Sequence, residues 1–111
     1  IGGHEVSGHV TGKAEVIDIK KFKNNHVVFF KIDNKYMKYI LPKGFIALDG
    51  ASLTVVDVDK EKGEFSVHLI PETLEATTFG FKDIGDAVNF EIDCRTQAIV
   101  DTVERVLENK K

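Results

Sequence analysis

The hydrophobic pattern of this 111-residue chain changes its period once, close to the C-terminus. Before the change, short segments alternate apolar and polar residues between turn residues, which is the pattern of β-strands. Short strands leave exposed edges unless the sheet closes on itself, so we predict an all-β, closed antiparallel barrel over residues 1–94 and an amphipathic helix over 95–111. The apolar residues at helical spacing in the tail are Ile99, Val103, Val106 and Leu107.

Turn and cap residues set the predicted boundaries of these elements. Asp33–Asn34 and Asp49–Gly50 are typical turn pairs between strands. Pro71 suits the first position of a helical turn over 71–78, and Thr96 is the predicted cap of the C-terminal helix. We predict strands over residues 7–19, 26–32, 36–41, the two parts of 43–58, 65–70 and 87–93.

Composition and charge exclude several classes of function. A net charge of -3 and a pI near 5.8 argue against a nucleic-acid partner, and no apolar run is long enough to span a membrane. The single cysteine, Cys94, rules out an intrachain disulfide and fits a reducing compartment, so we expect a cytoplasmic protein in which Cys94 is structural. The chain lacks an initiator Met and a secretory signal pattern, so we expect it to be part of a longer protein.

Two hydroxyl side chains within 43–58 form the first candidate for a ligand site. Ser52 and Thr54 are two residues apart, so in a regular strand both point to one side. They could read the edge of a small flat polar heterocycle, although hydroxyls on an outward strand face are equally normal without a ligand. Gly44 and Gly50 interrupt the same segment, which predicts a turn, a bulge or the close approach of a ligand.

The histidines do not have the spacing of a metal site. His4 and His9 are five residues apart, which puts them on opposite faces of a strand, so no metal is expected. The glycines beside them fit a backbone run against a ligand or another subunit, or an ordinary surface position. His68 fits a histidine of the core or sheet edge. After it, Ile70 and Thr73 could supply a packing surface and a hydroxyl for the same heterocycle.

Four segments together resemble the C-terminal half of riboflavin synthase. They are "GGHEVSGHV", "MKYILPKGFIALDGASLTV", "HLIPETLEATT" and "TQAIVDTVERVL", in the family's order and over nearly the whole chain. The resemblance implies the second of two six-stranded Greek-key barrels, followed by a C-terminal helix through which three subunits join as a homotrimer. The family's first barrel would then be missing.

The resemblance also implies a reaction and a set of site residues. In the family, one 6,7-dimethyl-8-ribityllumazine gives a four-carbon unit to a second, yielding riboflavin and 5-amino-6-ribitylamino-uracil without a separate cofactor. The two substrates meet between the first barrel of one subunit and the second barrel of another, so we expect this chain alone to bind weakly and turn over little. The residues implied for catalysis are His9, Ser52 and Thr54, and those for substrate binding are His4, Lys43, Gly44, Ile46, Asp49, Ser52, Thr54, Ile70 and Thr73.

Two other functions fit a barrel of this kind. A non-catalytic antenna protein of the same superfamily holds lumazine or flavin for its fluorescence, and it needs only one competent pocket. An oligonucleotide-binding barrel would need a basic face with exposed aromatic residues. The acidic charge of the chain and the interleaving of its phenylalanines with core positions disfavour the second alternative.

Overall fold

The computed structural model describes residues 9–70 and 83–110. The helical turn predicted over 71–78 lies outside the described residues, as do His4 and Thr73. The described part of the chain forms strands β1 (Gly12–Lys21), β2 (His26–Lys31), β3 (Phe45–Leu48), β4 (Ala51–Asp59), β5 (Glu64–Leu69) and β6 (Ala87–Ile92), a 3-10 helix (Asn34–Tyr39) and an α-helix, α1 (Cys94–Asn109).

The strands form a closed barrel in the order β1-β2-β5-β4-β3-β6, and every neighbouring pair is antiparallel. β3, β4 and β5 follow one another as hairpins, whereas β2 lies beside β5 and β6 lies beside β3. These two returns are Greek-key connections. The closed antiparallel barrel predicted from the sequence is confirmed.

The barrel interior is filled by the apolar residues of the alternating pattern. Phe30 of β2 and Phe65 of β5 stack with ring centroids 5.4 Å apart, and Phe90 of β6 is also buried. Side chains of every strand join this core, as alternation requires when one face of each strand points inward. The inward-facing residues include Ala14, Val16, Val28, Phe30, Ile46, Leu48, Leu53, Val55, Phe65, Val67, Leu69, Val88, Phe90 and Ile92.

The third predicted strand, over 36–41, is wrong, because most of this segment is the end of the 3-10 helix. The carboxylate of Asp33 accepts a hydrogen bond from the backbone N–H of Lys35 at 3.0 Å and so caps the helix. Met37 and Ile40 are both buried, and residues three apart lie on one side of a 3-10 helix. Burial of these two side chains on the barrel therefore favours the helix.

The predicted cap of the C-terminal helix is also wrong. α1 begins at Cys94, and its cap residue is Asp93, whose carbonyl accepts from the N–H of Gln97 at 3.0 Å. Thr96 lies in the first turn, where its hydroxyl donates to the Asp93 carboxylate at 3.0 Å. α1 contains no buried residue, and the molecule measures 50 × 27 × 21 Å, so the helix projects from the barrel.

Candidate functional site

Polar side chains are buried on the outside of the barrel where β3 lies between β4 and β6. Ala47 of β3 pairs with Ser52 of β4 on one side and with Glu91 of β6 on the other. The flanking Ile46 and Leu48 belong to the core, so these three residues face outward. Ser52 is nevertheless only 5% exposed and Glu91 only 7%. Burial of a hydroxyl and a carboxylate on an outer face marks this row as unusual.

A second row lies beside the first on the same outer surface. Phe45 of β3 pairs with Thr54 of β4, and the β3–β6 register, continued by one residue, sets Asp93 beside Phe45. The β4–β5 pair Val55–Val67 likewise sets Thr54 opposite His68. Thr54 and His68 are exposed, and Asp93 is buried. We call the two rows together the β3 face; its members are Phe45, Ala47, Ser52, Thr54, Glu91 and Asp93.

The β3 face combines a small apolar centre with polar groups on two sides. Side chains directly opposite in an antiparallel pair are about 5 Å apart at Cβ, so Ala47 stands between Ser52 and Glu91, and like them it is buried, at 0% exposure. A hydroxyl can donate and accept a hydrogen bond, whereas an ionised carboxylate only accepts. The polar groups suit a flat ring that presents both donors and acceptors along its edges, and the exposed Thr54 marks the open side of the face.

The hydroxyl pair predicted from the sequence lies on this face. Ser52 and Thr54 both point outward, and Leu53 and Val55 point into the core, as the alternation predicted. Their environments differ, because Ser52 is buried and Thr54 is exposed. Ile46, by contrast, is fully buried within the barrel core, away from the outer surface.

Lys43 and Gly44 lie where the chain enters β3. The N–H of Lys43 donates to the carbonyl of Val55 at 2.8 Å, and the N–H of Val55 donates to the carbonyl of Gly44 at 2.8 Å. These bonds hold the segment against β4, one residue beyond Thr54. A Cβ on Gly44 would lie 3.0 Å from the carbonyl oxygen of Leu41. The chain itself therefore approaches this glycine closely, and a side chain here would require a small shift of the Leu41 carbonyl.

Asp49 and Gly50 form the turn at the other end of β3, and both have positive φ. The carboxylate of Asp49 accepts from the N–H of Asn89 at 2.8 Å, and the N–H of Asp49 donates to the Asn89 carbonyl at 2.8 Å. Asp49 thereby ties the β3–β4 turn to β6. Gly50, at φ +83°, has the left-handed conformation that favours glycine.

His9 and Ile70 lie at opposite borders of the β3 face. Thr11 bonds to β6 twice, since its N–H donates to the Phe90 carbonyl at 2.7 Å and its hydroxyl accepts from the N–H of Ile92 at 3.1 Å. This contact brings the exposed His9 toward the C-terminal end of β6. Ile70 is exposed directly after β5, and the β4–β5 register, when continued, sets it opposite Ser52.

Glu91 and Asp93 are the members of this candidate site that sequence reasoning missed. The alternation of β6 puts Glu91 on the outward side, but nothing in the local pattern sets it beside Ser52. That neighbourhood depends on both strands pairing with β3. In residues 9–70 and 83–110, no group of three His, Cys, Asp or Glu side chains could hold a metal ion, and no helix is long and apolar enough to cross a membrane.

A sequence profile described as "Lumazine binding domain" matches residues 7–93, which include all six strands and the whole β3 face. The chain belongs to the lumazine-binding domain family. Its curated relatives include the riboflavin synthase of Escherichia coli (strain K12), which is 58% identical over 108 residues, a match that covers 96% of this chain and 50% of that protein. The riboflavin synthase of the yeast Meyerozyma guilliermondii is 43% identical over 105 residues, covering 94% and 44%.

This chain thus spans about half the length of the curated relatives that it matches. Solved structures of similar fold include LumP complexed with 6,7-dimethyl-8-(1'-D-ribityl) lumazine, at a TM-score of 0.75 and 22% identity over 83% of this chain and 51% of LumP. LumP complexed with riboflavin gives the same TM-score and identity, over 83% and 49%. These likenesses show that the two proteins share a fold.

Proposed function

We propose that this chain is the second, C-terminal barrel of a cytoplasmic riboflavin synthase and that its β3 face holds one molecule of 6,7-dimethyl-8-ribityllumazine. The observation that carries the proposal is the row formed by Ser52, Ala47 and Glu91 on three adjacent strands. It offers a lumazine ring an apolar centre between a hydroxyl and a carboxylate. The choice of ligand and reaction is supported by the family match and by the riboflavin synthases at 43 to 58% identity.

The geometry favours one arrangement of the ring. Ser52 and Thr54 hydrogen-bond one edge of the ring, with Glu91 at the opposite edge. Because Ala47 between them is 0% exposed, the chain that covers this row must move aside for the ring. Ile70 borders the β4 side, and Lys43 stands at the entrance beside Thr54. Ile46 acts from within the core by fixing the position of β3, and Asp49 acts by fixing the β3–β4 turn against β6.

The reaction requires proton transfers between two bound lumazines. One ring must lose a proton from a methyl group, and the other must accept a nucleophile before the four-carbon unit moves to its partner. His9 and the hydroxyls of Ser52 and Thr54 hold water and the developing charge at the border of the β3 face. Orientation of the two rings contributes most, on the order of 7 to 11 kcal/mol at best.

We also propose that the full protein is a homotrimer joined through α1. The helix contains no buried residue, and Ile99 and Val103, 64% and 51% exposed, lie on its apolar stripe together with Val106 and Leu107. A helix with such a stripe is stabilised when the stripe packs against another surface. A second copy of the same helix supplies a stripe of matching composition and length.

A non-catalytic antenna role is less well supported. The relatives at 43 to 58% identity are named riboflavin synthases, whereas LumP, at 22%, shares the fold. The chain contains one lumazine-binding domain, so the second substrate site of the reaction must come from another domain. We therefore expect the purified chain to produce little or no riboflavin, and measurable production would contradict the assignment of a half-site.

The proposal is tested by fluorescence titration with 6,7-dimethyl-8-ribityllumazine. The combined substitution Ser52→Ala and Thr54→Ala should weaken binding at least about tenfold, because two hydrogen bonds to the ring are lost. Ser66→Ala is the matched control: Ser66 is a buried serine of β5 that accepts a hydrogen bond from the N–H of Asp57, away from the β3 face. An unaltered affinity in the double variant would contradict the placement of the ligand on this face.

A further inference from the structure

α1 is attached to the barrel by its polar side. Its main contact with the rest of the described chain is the 3-10 helix. There, the hydroxyl of Tyr39 donates to Oδ1 of Asp101 at 2.5 Å, and Nζ of Lys38 lies 2.8 Å from Oε1 of Glu104. Asp101 is partly buried in a helix that is otherwise largely exposed. Two polar contacts thus join α1 to its own barrel.

The 3-10 helix is itself fixed firmly to the barrel. Met37 and Ile40 are buried in the core, and the ring of Tyr36 meets that of Phe90 edge-on, with centroids 5.5 Å apart and planes at 73°. Lys38 and Tyr39 lie between Met37 and Ile40 in the sequence and reach outward to α1. The short helix therefore connects the core on one side with α1 on the other.

The contacts turn the apolar stripe of α1 away from the barrel. At 100° per residue, Val103 lies about 200° and Ile99 about 160° around the helix from Asp101. An amphipathic helix ordinarily packs its apolar stripe onto its own domain. Here the acidic side meets the barrel, and Ile99 and Val103 face solvent.

We infer that Tyr39 and Lys38 set the direction in which α1 leaves the barrel, and that this direction presents the apolar stripe to other copies of the chain. Tyr39 is accordingly a positioning residue for assembly. Its effect on assembly rests on the proposed self-association through α1, whereas its effect on the direction of α1 is a property of the single chain.

The direction of α1 can be measured within one chain by double electron-electron resonance. In a Cys94→Ser background, spin labels are attached at Lys60→Cys, in the exposed turn after β4, and at Glu108→Cys, near the end of α1. Dilution with unlabelled chain leaves only distances within a molecule. We expect a single narrow distribution, broadened at least about twofold by Tyr39→Phe, which keeps the ring and removes the donor.

Neighbouring residues supply matched controls. Tyr36→Phe removes a hydroxyl from the same 3-10 helix and should leave the distribution unchanged. Lys35 and Lys38 both lie over the ring of the following tyrosine, at 5.1 and 5.2 Å, yet only Lys38 forms an ion pair with α1. Lys38→Met should therefore broaden the distribution and Lys35→Met should not.

Asp101 allows a rescue test. Asp101→Ala removes the acceptor and should broaden the distribution as Tyr39→Phe does, whereas Asp101→Asn keeps an acceptor oxygen and should restore a narrower one. The inference is wrong if Tyr39→Phe and Asp101→Ala both have the same distance distribution as the wild type. It is also wrong if the control variants broaden the distribution equally. An unchanged urea midpoint for the barrel shows that each variant is folded.

Sedimentation velocity separates this inference from the proposed assembly. If the chain self-associates, Tyr39→Phe should raise its dissociation constant about tenfold, because α1 no longer leaves the barrel in one direction. A wild-type chain that stays monomeric at every concentration would contradict the proposed trimer, while the spin-label distances would still decide whether Tyr39 positions α1.

Discussion

The barrel buries most of its apolar side chains, whereas α1 exposes the apolar side chains of its stripe. In the barrel, alternation sends one side of each strand into a shared interior, where Phe30, Phe65 and Phe90 are buried. In α1, the residues at apolar spacing are exposed, and the contacts to the barrel are a hydrogen bond and an ion pair. The strands of the barrel thus bury their apolar side chains against one another, whereas the apolar stripe of α1 is not buried against the described part of its own chain.

This difference separates two kinds of stability within one short chain. Burial of apolar area contributes about 25 cal/mol per Å², so the barrel is stabilised mainly by its interior. An exposed ion pair such as that of Lys38 with Glu104 is screened by solvent and adds little stability, so α1 by itself is held weakly. Substitutions in the two regions should therefore differ in size and in what they change.

The largest effect is expected inside the barrel. Phe65→Ala would leave a cavity beside Phe30, with which Phe65 stacks, and should lower the free energy of unfolding by about 3 to 5 kcal/mol. Phe22→Ala, at a position that is 58% exposed, is the matched control and should change it by about 0.5 kcal/mol or less. Urea unfolding followed by circular dichroism measures both, and equal losses would contradict the assigned core.

A substitution in α1 should change assembly and leave the barrel intact. Val103→Asp puts a carboxylate into the apolar stripe, and its desolvation in an interface should raise the dissociation constant at least about a hundredfold. Ala98→Asp adds the same charge at an exposed position about 140° around the helix from Val103. Sedimentation velocity compares the two variants: association that survives Val103→Asp, or is lost equally in Ala98→Asp, would place the interface elsewhere.

Much of this fold could be predicted from the sequence, because the two-residue alternation directly reports which side of a strand is buried. The barrel, its turn at Asp49–Gly50 and the change to a helix near residue 94 follow from local patterns, whereas Asp33–Asn34, predicted as a turn between strands, begins the 3-10 helix with Asp33 as its cap. The segment 36–41 could not be assigned in this way. Met37 and Ile40 are spaced for a 3-10 helix, but that helix is stabilised by their burial in a core built from distant strands.

The β3 face was only half predictable for a related reason. Ser52 and Thr54 lie two residues apart in one strand, so a short segment was enough to place both hydroxyls on one side. Glu91 lies on β6, and its place near Ser52 depends on the pairing of both strands with β3. Gly44 was open to several interpretations, and only the structure shows that the Leu41 carbonyl lies 3.0 Å from where a Cβ would be, so that the chain itself approaches this position closely.

The smallest expected effect is the response of the α1 contact to alkaline pH. The hydrogen bond to Asp101 raises the pKa of Tyr39 above its usual value of 10.0, and the hydrogen bond to Glu104 raises the pKa of Lys38 above 10.5. A group whose pKa is raised by folding contributes stability below its unfolded pKa and loses it as the pH rises through the folded value. The contact should therefore persist at neutral pH and weaken only above about pH 10.

The four groups that face one another there are Lys38, Tyr39, Asp101 and Glu104, and spin-label distances from pH 8 to 11 would follow their separation. The distance distribution of Tyr39→Phe should already be broad at pH 8 and should change little at higher pH. If the wild-type distribution broadens below pH 8, other groups hold α1.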